Sequence, residues 1–268
     1  MTDNAQLLAG QRRVLILERL KQQGGVRVNE LTRELGVSDM TVRRDLDALA
    51  RQGLVDKVHG GAVLTSAPSS QEPGFEAKSA WQPSAKDAIA AAAAHLARPG
   101  MVVGLAAGTT THAVAQRLAA VDGLTVVTNS LRIAEVFEQP RPGGTGATTV
   151  LRTGGVRTPS DALVGPLADQ GIRSLHVNVL FLGCHGISVE TGLTSPNLAE
   201  AETNRAFIGS AHRVVVVADH TKWDTVGLAT FATLDQVDVL VTDGELSAER
   251  RAAAAELAGE VIVADPAG

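Results

Sequence analysis

The chain has 268 residues, 44% of them apolar, enough for about two domains with cores of their own. A net charge of -5 argues against a general nucleic-acid coat, and a lone cysteine, Cys184, excludes an internal disulfide framework and fits a reducing cytoplasm. No run is long and apolar enough to be a membrane span, and the start, MTDNAQLLAGQRR, lacks the basic-then-apolar order of a secretory signal. The charge is unevenly spread. Residues 1–64 hold 10 Lys/Arg against 8 Asp/Glu, a net of +2, and the rest hold 14 against 21, a net of -7. Any DNA contact therefore belongs to the N-terminal part and needs a local basic face.

Taken in chain order, the first element is a helix lined on one side by Leu8, Val14, Leu15, Leu17 and Leu20 and stopped by Gly24-Gly25. A short second helix, VNELTRELG over 28–36, places Leu31 and Leu35 four apart, with Asn29 as a candidate cap. Ser38 is the next N-cap candidate. Val42, Leu46 and Leu49 then recur at helical spacing until Gly53. The alternating LVDKVHGGAVL over 54–64, with Gly60-Gly61 inside it, predicts a hairpin. Three helices and a hairpin make a winged helix-turn-helix over residues 1–64. Residues 65–83, rich in Ser, Pro and Gly, read as a linker, with Phe75 and Trp81 expected to tether it to the larger domain.

From residue 84 to 268 the pattern is α/β. Strand candidates at 101–106, 124–129, 147–154, 177–184, 213–219, 237–243 and 261–265 are interleaved with helical stretches near 111–120, 131–138, 198–209 and 247–258. Continuous apolar strands separated by helices predict a mostly parallel sheet covered on both faces. Such sheets hold ligands at the carboxyl ends of their strands.

Two surfaces could carry chemistry. The second helix of a helix-turn-helix sends its N-terminal residues into the major groove. With Val42 and Leu46 in the core, the helix that starts in SDMTVRRDL over 38–46 leaves Asp39, Met40, Thr41, Arg43, Arg44 and Asp47 outward, with Ser38 at the helix start. Arg suits guanine, Thr a base or phosphate, and a helix N-terminus a phosphate. Lys57 and His59 lie in the wing, and Arg12 and Arg13 on the first helix are phosphate-clamp candidates. The DNA-facing set is thus Arg12, Ser38, Thr41, Arg43, Arg44, Lys57 and His59. The same charges also fit a solvated, ion-paired surface, and a winged helix also serves as a protein-docking module. The second surface is GLAAGTTT over 104–111, a strand end, a tight turn and a helix start. Gly108, Thr109, Thr110 and Thr111 suit a phosphate; alternatively Thr109 only caps the helix. The loop is neither Walker A nor GxGxxG, so no nucleotide cofactor is expected. Asn129, Gly155, His185, Asp219 and Lys222 fall in loops at other strand ends and complete the expected effector site. No spaced set of metal ligands is visible.

Both halves resemble one family, the DeoR/GlpR-type bacterial transcriptional regulators. The N-terminal likeness lies in Arg12 and in SDMTVRRDLDALARQGLVDKVHGGA over 38–62. The C-terminal likeness lies in KDAIAAAAA, GTTTHAVAQRL, LTVVTNSLRIA, GGVR, GCHGIS, ETGLTSPNLAE, DHTKW and DVLVTD, in that order. The resemblance implies a sensor domain similar in fold to ribose-5-phosphate isomerase. It implies a repressor of a carbohydrate operon, a phosphorylated sugar or related effector, operator DNA as partner, and a homodimer or homotetramer. Thr41, Arg43 and Arg44 would lie on the recognition helix; Gly108, Thr109 and Thr110 would hold the effector phosphate, with Asp219 and Lys222 nearby. The chain departs from the pattern at Ala106, where family members often carry an acidic residue. The loss of that carboxylate implies a different effector, or weak or absent sugar binding. Two other functions remain open at this point: a constitutive DNA-binding factor with a decayed pocket, and an isomerase-like enzyme using Asp219, Glu190 or Asp161 as base. The expectation is that the chain is not an enzyme, because fold similarity alone brings no activity.

Overall fold

The structure, a computed structural model, describes residues 8–23, 25–51, 54–58, 60–64, 74–139 and 148–264. It divides into two compact units, Met1–Trp81 and Gln82–Gly268. No described helix is long and apolar enough to cross a membrane.

The first unit opens with α1 (Ala9–Gln23), β1 (Gly25–Arg27), α2 (Val28–Leu35) and α3 (Asp39–Arg51), followed by β2 (Val55–Val58) and β3 (Gly61–Leu64). This is a winged helix-turn-helix, and it differs from the sequence reading in four places. Gly25 starts a strand that pairs antiparallel with β3, so the wing has three strands in the order β1-β3-β2. Its crossing is so close that a Cβ on Gly61 would lie 2.0 Å from the Val26 carbonyl oxygen. The buried side of α1 is set by Ile16, Leu17 and Leu20; Leu8 and Leu15 are 71% and 41% exposed. Arg27, rather than Asn29, occupies the N-cap of α2, with no side-chain cap, and Gly36 ends that helix in the left-handed region at φ 64°. Finally, α4 (Phe75–Ser79) forms within the expected linker, and Trp81 packs on the small domain's cluster of Ile16, Leu31, Val42, Leu46 and Leu49.

The second unit begins with α5 (Pro83–Ala94), β4 (Val102–Leu105), α6 (Thr109–Leu118), β5 (Thr125–Thr128), α7 (Leu131–Glu138) and β6 (Thr149–Arg152). A small hairpin, β7 (Val156–Arg157) and β8 (Leu163–Val164), precedes α8 (Pro166–Arg173) and β9 (Val179–Leu182). Then come β10 (Gly186–Ser188), β11 (Gly192–Ser195), α9 (Leu198–Ser210), β12 (Val214–Val217), β13 (Ala229–Ala232), β14 (Val239–Asp243), α10 (Ala248–Leu257) and β15 (Val261–Ala264). Seven strands form a parallel sheet in the order β15-β14-β12-β9-β4-β5-β6.

Side chains alternate across a strand, and both faces are apolar. Val179, Phe181, Val215 and Val217 join one cluster with Ile89 of α5, Val114 and Leu118 of α6, and Ile133 of α7. Leu180, Leu182, Val214 and Val216 join the other with Ile172 of α8 and Phe207 of α9. This double burial explains the near-continuous Val and Leu runs. The sequence reading did not include α5, α8 or the second, antiparallel sheet β10-β11-β13, whose short strands carry no long apolar run. From β4 the chain winds outward through β5 and β6, then returns to lay β9 on the other side of β4 before continuing to β12, β14 and β15. The strand order therefore reverses between β4 and β9, the point at which sheets of this kind hold ligands beyond their carboxyl ends.

Candidate DNA interface and ligand crevice

On the small domain, α3 presents its outward face as read from sequence, but its charges are not equivalent. Ser38 Oγ accepts the Thr41 amide at 3.3 Å and lies 2.9 Å from Thr41 Oγ1, so the two hydroxyls tie the helix start together. Arg43 is held along its own helix by Asp39, with Nε to Oδ1 at 2.6 Å. Lys57 of the wing donates to Asp47 at 2.5 Å, a contact that holds the Asp47 carboxyl below its ordinary range. Arg44 is exposed and makes no ion pair among the described residues. His59 lies outside the described residues. Arg12 requires a correction. It is turned inward, its side chain 13% exposed, and its Nε donates to buried Asp45 at 2.8 Å while Arg13 reaches the other oxygen at 3.3 Å. It bolts α1 to α3 and is not a free phosphate clamp.

On the large domain, the end of β4 runs into Ala106, Ala107 and Gly108, and Gly108 is the N-cap of α6 with no side-chain cap. Thr109 is thus the first helical residue, not the cap, and the first-turn amides have no acceptor within the helix. Thr111 is fully buried and donates its hydroxyl to the Gly108 carbonyl at 2.9 Å, which shapes the turn from inside. Thr109 is half-buried and Thr110 buried. Asn129, at the end of β5, accepts from the Ala107 amide at 2.9 Å and donates to the Leu163 carbonyl at 3.1 Å. Its amide staples the Gly108 loop to the β7–β8 hairpin. Gly155 has a backbone reason of its own: at φ 128° a Cβ there would stand 2.5 Å from the Val164 carbonyl oxygen.

Across the reversal point, β9 is followed by Gly183, Cys184 and His185, and β12 by Ala218 and Asp219. The Ala106 amide bonds the Phe181 carbonyl at 3.1 Å, and His185 bonds Thr194 through its backbone amide at 3.0 Å, so these ends are closely set. Burial pushes the Cys184 thiol up to about 12, with nearby Lys222 opposing and Asp219 reinforcing the shift; it stays a neutral thiol. Burial also pushes Asp219 upward, but the charge of Lys222, the hydrogen bonds from Thr221 and the charge of Lys86 outweigh it and hold the carboxyl below its ordinary range. Lys86 is a residue the sequence reading missed as part of this site. It is 94% buried from solvent on α5, a placement that only folding α5 over the sheet reveals.

The turn carrying Lys222 is latched from behind. His220 Nδ1 faces Asp243 Oδ1 at 2.9 Å, its Nε2 faces Glu245 Oε2 at 3.2 Å, and its backbone amide donates to Asp243 Oδ2 at 2.8 Å. These three side chains place ligand-type atoms within 4.8 Å of one another, a grouping that linear spacing did not reveal. Both imidazole nitrogens are engaged by carboxylates, so the group reads as an ion-pair latch. Asp161, proposed as a base, is buried with its oxygens on Arg132 and Arg157, and it stands in the left-handed region at φ 63°.

A winged helix-turn-helix joined in one chain to a doubly wound parallel α/β domain is the architecture of a DNA-binding regulator with a second, larger domain. Residues 12–67 match the DeoR-like helix-turn-helix domain and residues 81–244 the DeoR C terminal sensor domain. The chain belongs to the DeoR family of transcriptional regulators. It is 33% identical to a putative aga operon transcriptional repressor of Escherichia coli O157:H7, over 94% of this chain and 93% of that one. It is 37% identical to the HTH-type transcriptional regulator GlpR of Haloferax volcanii, over 91% and 94%. Among solved structures, ribose 5-phosphate isomerase a from Methanocaldococcus jannaschii aligns with a TM-score of 0.38 at 16% identity, covering 52% of this chain and 54% of that one.

Proposed function

We propose that this regulator is a repressor of a carbohydrate operon whose grip on operator DNA is changed by a phosphorylated sugar or related metabolite. The observation that carries the proposal is the reversal of strand order between β4 and β9. There the uncapped start of α6 lies on the β4 side and the Lys222, Lys86 and Asp219 cluster on the β12 side. Free amides and two ammonium groups suit a phosphate; one carboxylate held ionised suits a sugar hydroxyl. Gly108, Thr109 and Thr110 form the phosphate end, and Asp219 with His185 the polar end. Ala106, fully buried, contributes no carboxylate, so Asp219 carries that role. We infer binding without turnover: Asp161 is committed to two arginines, Glu190 is exposed in the turn between β10 and β11, and Asp219, its pKa lowered, is a weak proton acceptor. A homodimer or homotetramer would present paired recognition helices to a repeated or palindromic site.

The test is fluorescence anisotropy of the full chain on DNA from its own upstream region, titrated with phosphorylated sugars at fixed salt. One compound is expected to shift operator affinity, and Lys222→Ala to blunt that shift while leaving operator binding intact. Operator binding indifferent to the whole panel would replace this reading with a constitutive factor. Turnover of a phosphosugar would replace it with an enzyme.

A further inference from the structure

The outward face of α3 carries one large apolar side chain. Met40, in the first turn, is 64% exposed, while Val42, Leu46 and Leu49 of the same helix are in the core. Arg44 stands four residues on, so the two side chains share a face one turn apart. The polar groups around them are committed locally: Arg43 to Asp39, Asp47 to Lys57, and the Ser38 and Thr41 hydroxyls to each other. What this face offers a partner is an arginine without an ion pair among the described residues and a methionine in water. The N-terminal turn of this helix is the part a helix-turn-helix inserts in the major groove. In that groove a guanidinium fork matches guanine O6 and N7, and an apolar side chain has one counterpart, the 5-methyl group of thymine. A thioether chain with three rotatable bonds adapts to such a contact.

We infer that Met40 is a specificity-determining residue that packs on the 5-methyl group of a thymine, one helical turn from the base that Arg44 reads. The inference rests on the DNA-reading function proposed above and adds the identity of a base and the atom recognised.

The experiment selects a duplex from a random-sequence pool with the full-length protein. Each thymine of that duplex is then replaced in turn by deoxyuridine, which removes the methyl group and nothing else. Wild type is expected to lose about fourfold in affinity at one thymine per half-site, the worth of burying one methyl. Met40→Ala should lose affinity for the thymine duplex and become indifferent to uracil at that position. Met40→Leu should keep the discrimination. The inference is overturned if no single deoxyuridine moves wild type, or if Met40→Ala still distinguishes thymine from uracil there. Recovery of no sequence-specific duplex would overturn the DNA-reading function and Met40's role with it. A specific duplex without methyl dependence would overturn Met40's role alone.

Discussion

Arg43 and Arg44 are adjacent in sequence and unequal in structure. Arg43 already satisfies Asp39, so any DNA contact it makes must compete with that ion pair; Arg44 has no such pair among the described residues. A bidentate arginine–guanine contact is worth about 1–3 kcal/mol. Arg44→Ala should therefore weaken operator binding by about tenfold or more and relax preference at one position, while Arg43→Ala should change affinity less and sequence preference little. Equal losses in anisotropy titrations of the two variants would remove the distinction. A second residue, His220, makes stability depend on pH. Its hydrogen bond to Asp243, opposed by partial burial and helped by the charges of Asp243, Glu245 and Asp219, raises its pKa above 6.5. The latch therefore contributes fully below the unfolded histidine value and loses that contribution as pH rises through the raised folded value. For Asp243, burial pushes upward, but the hydrogen bonds from His220 and the Glu245 amide win and lower its pKa below 3.8. Its share is present above that ordinary value and is lost as pH falls through the lowered one. Thermal melts should show the sensor domain losing stability on the alkaline side, and His220→Gln should flatten that limb. An identical alkaline limb in the variant would exclude His220 as its source.

Elements hold the loops at the strand ends in place through a few hydrogen bonds. Asn129 is the clearest, because one amide serves the β4 loop and the β7–β8 hairpin at once. Asn129→Ala would leave the Ala107 amide and the Leu163 carbonyl without that partner. At about 1–3 kcal/mol for each such group, the melting temperature should fall by several degrees, and effector response should weaken with operator binding retained. An unchanged melting temperature in calorimetry would mean that the loops are held by other contacts. In the small domain the comparable joint is Arg12 and Arg13 on Asp45. A carboxylate this buried needs its cations, which is why Arg12, exposed by simple helical reasoning, is drawn inside.

For the whole molecule, charge is segregated. The N-terminal 64 residues are net positive and the remainder strongly negative, so DNA is attracted to one domain and repelled by the other. Sensing and operator binding should be linked thermodynamically: an effector that lowers operator affinity must itself bind less tightly to the DNA complex, by the same factor. Calorimetric titration of the effector into free protein and into the protein–DNA complex should give dissociation constants in the same ratio as the operator affinities. A ratio of one beside an effector-dependent operator affinity would break the cycle and point to a second ligand site. The effector should also raise the melting temperature of free protein.

The alternation of apolar strands and helices was enough to identify a parallel sheet buried on both faces, because the central strands of such a sheet, β9 and β12 here, are apolar throughout. Helical spacing at Val42, Leu46 and Leu49 likewise marked the core of α3, and the residues between them its outward face. The strand ends bearing Gly108, Asn129, Cys184 and Asp219 were legible for the same reason. Which of those ends meet was not, since it depends on strand order: only the folded sheet shows the reversal between β4 and β9 and brings Lys86 from α5 beside Asp219. Pairing was equally hidden. Whether an arginine lacks an ion pair among the described residues, as Arg44 does, or is bound to an acid, as Arg12 is, depends on contacts such as one across 33 residues of sequence that no local period encodes. Local periodicity determines which face is buried; the meeting of side chains from distant segments, and hence which charges remain for a ligand, is decided by the tertiary packing that brings them within hydrogen-bond reach.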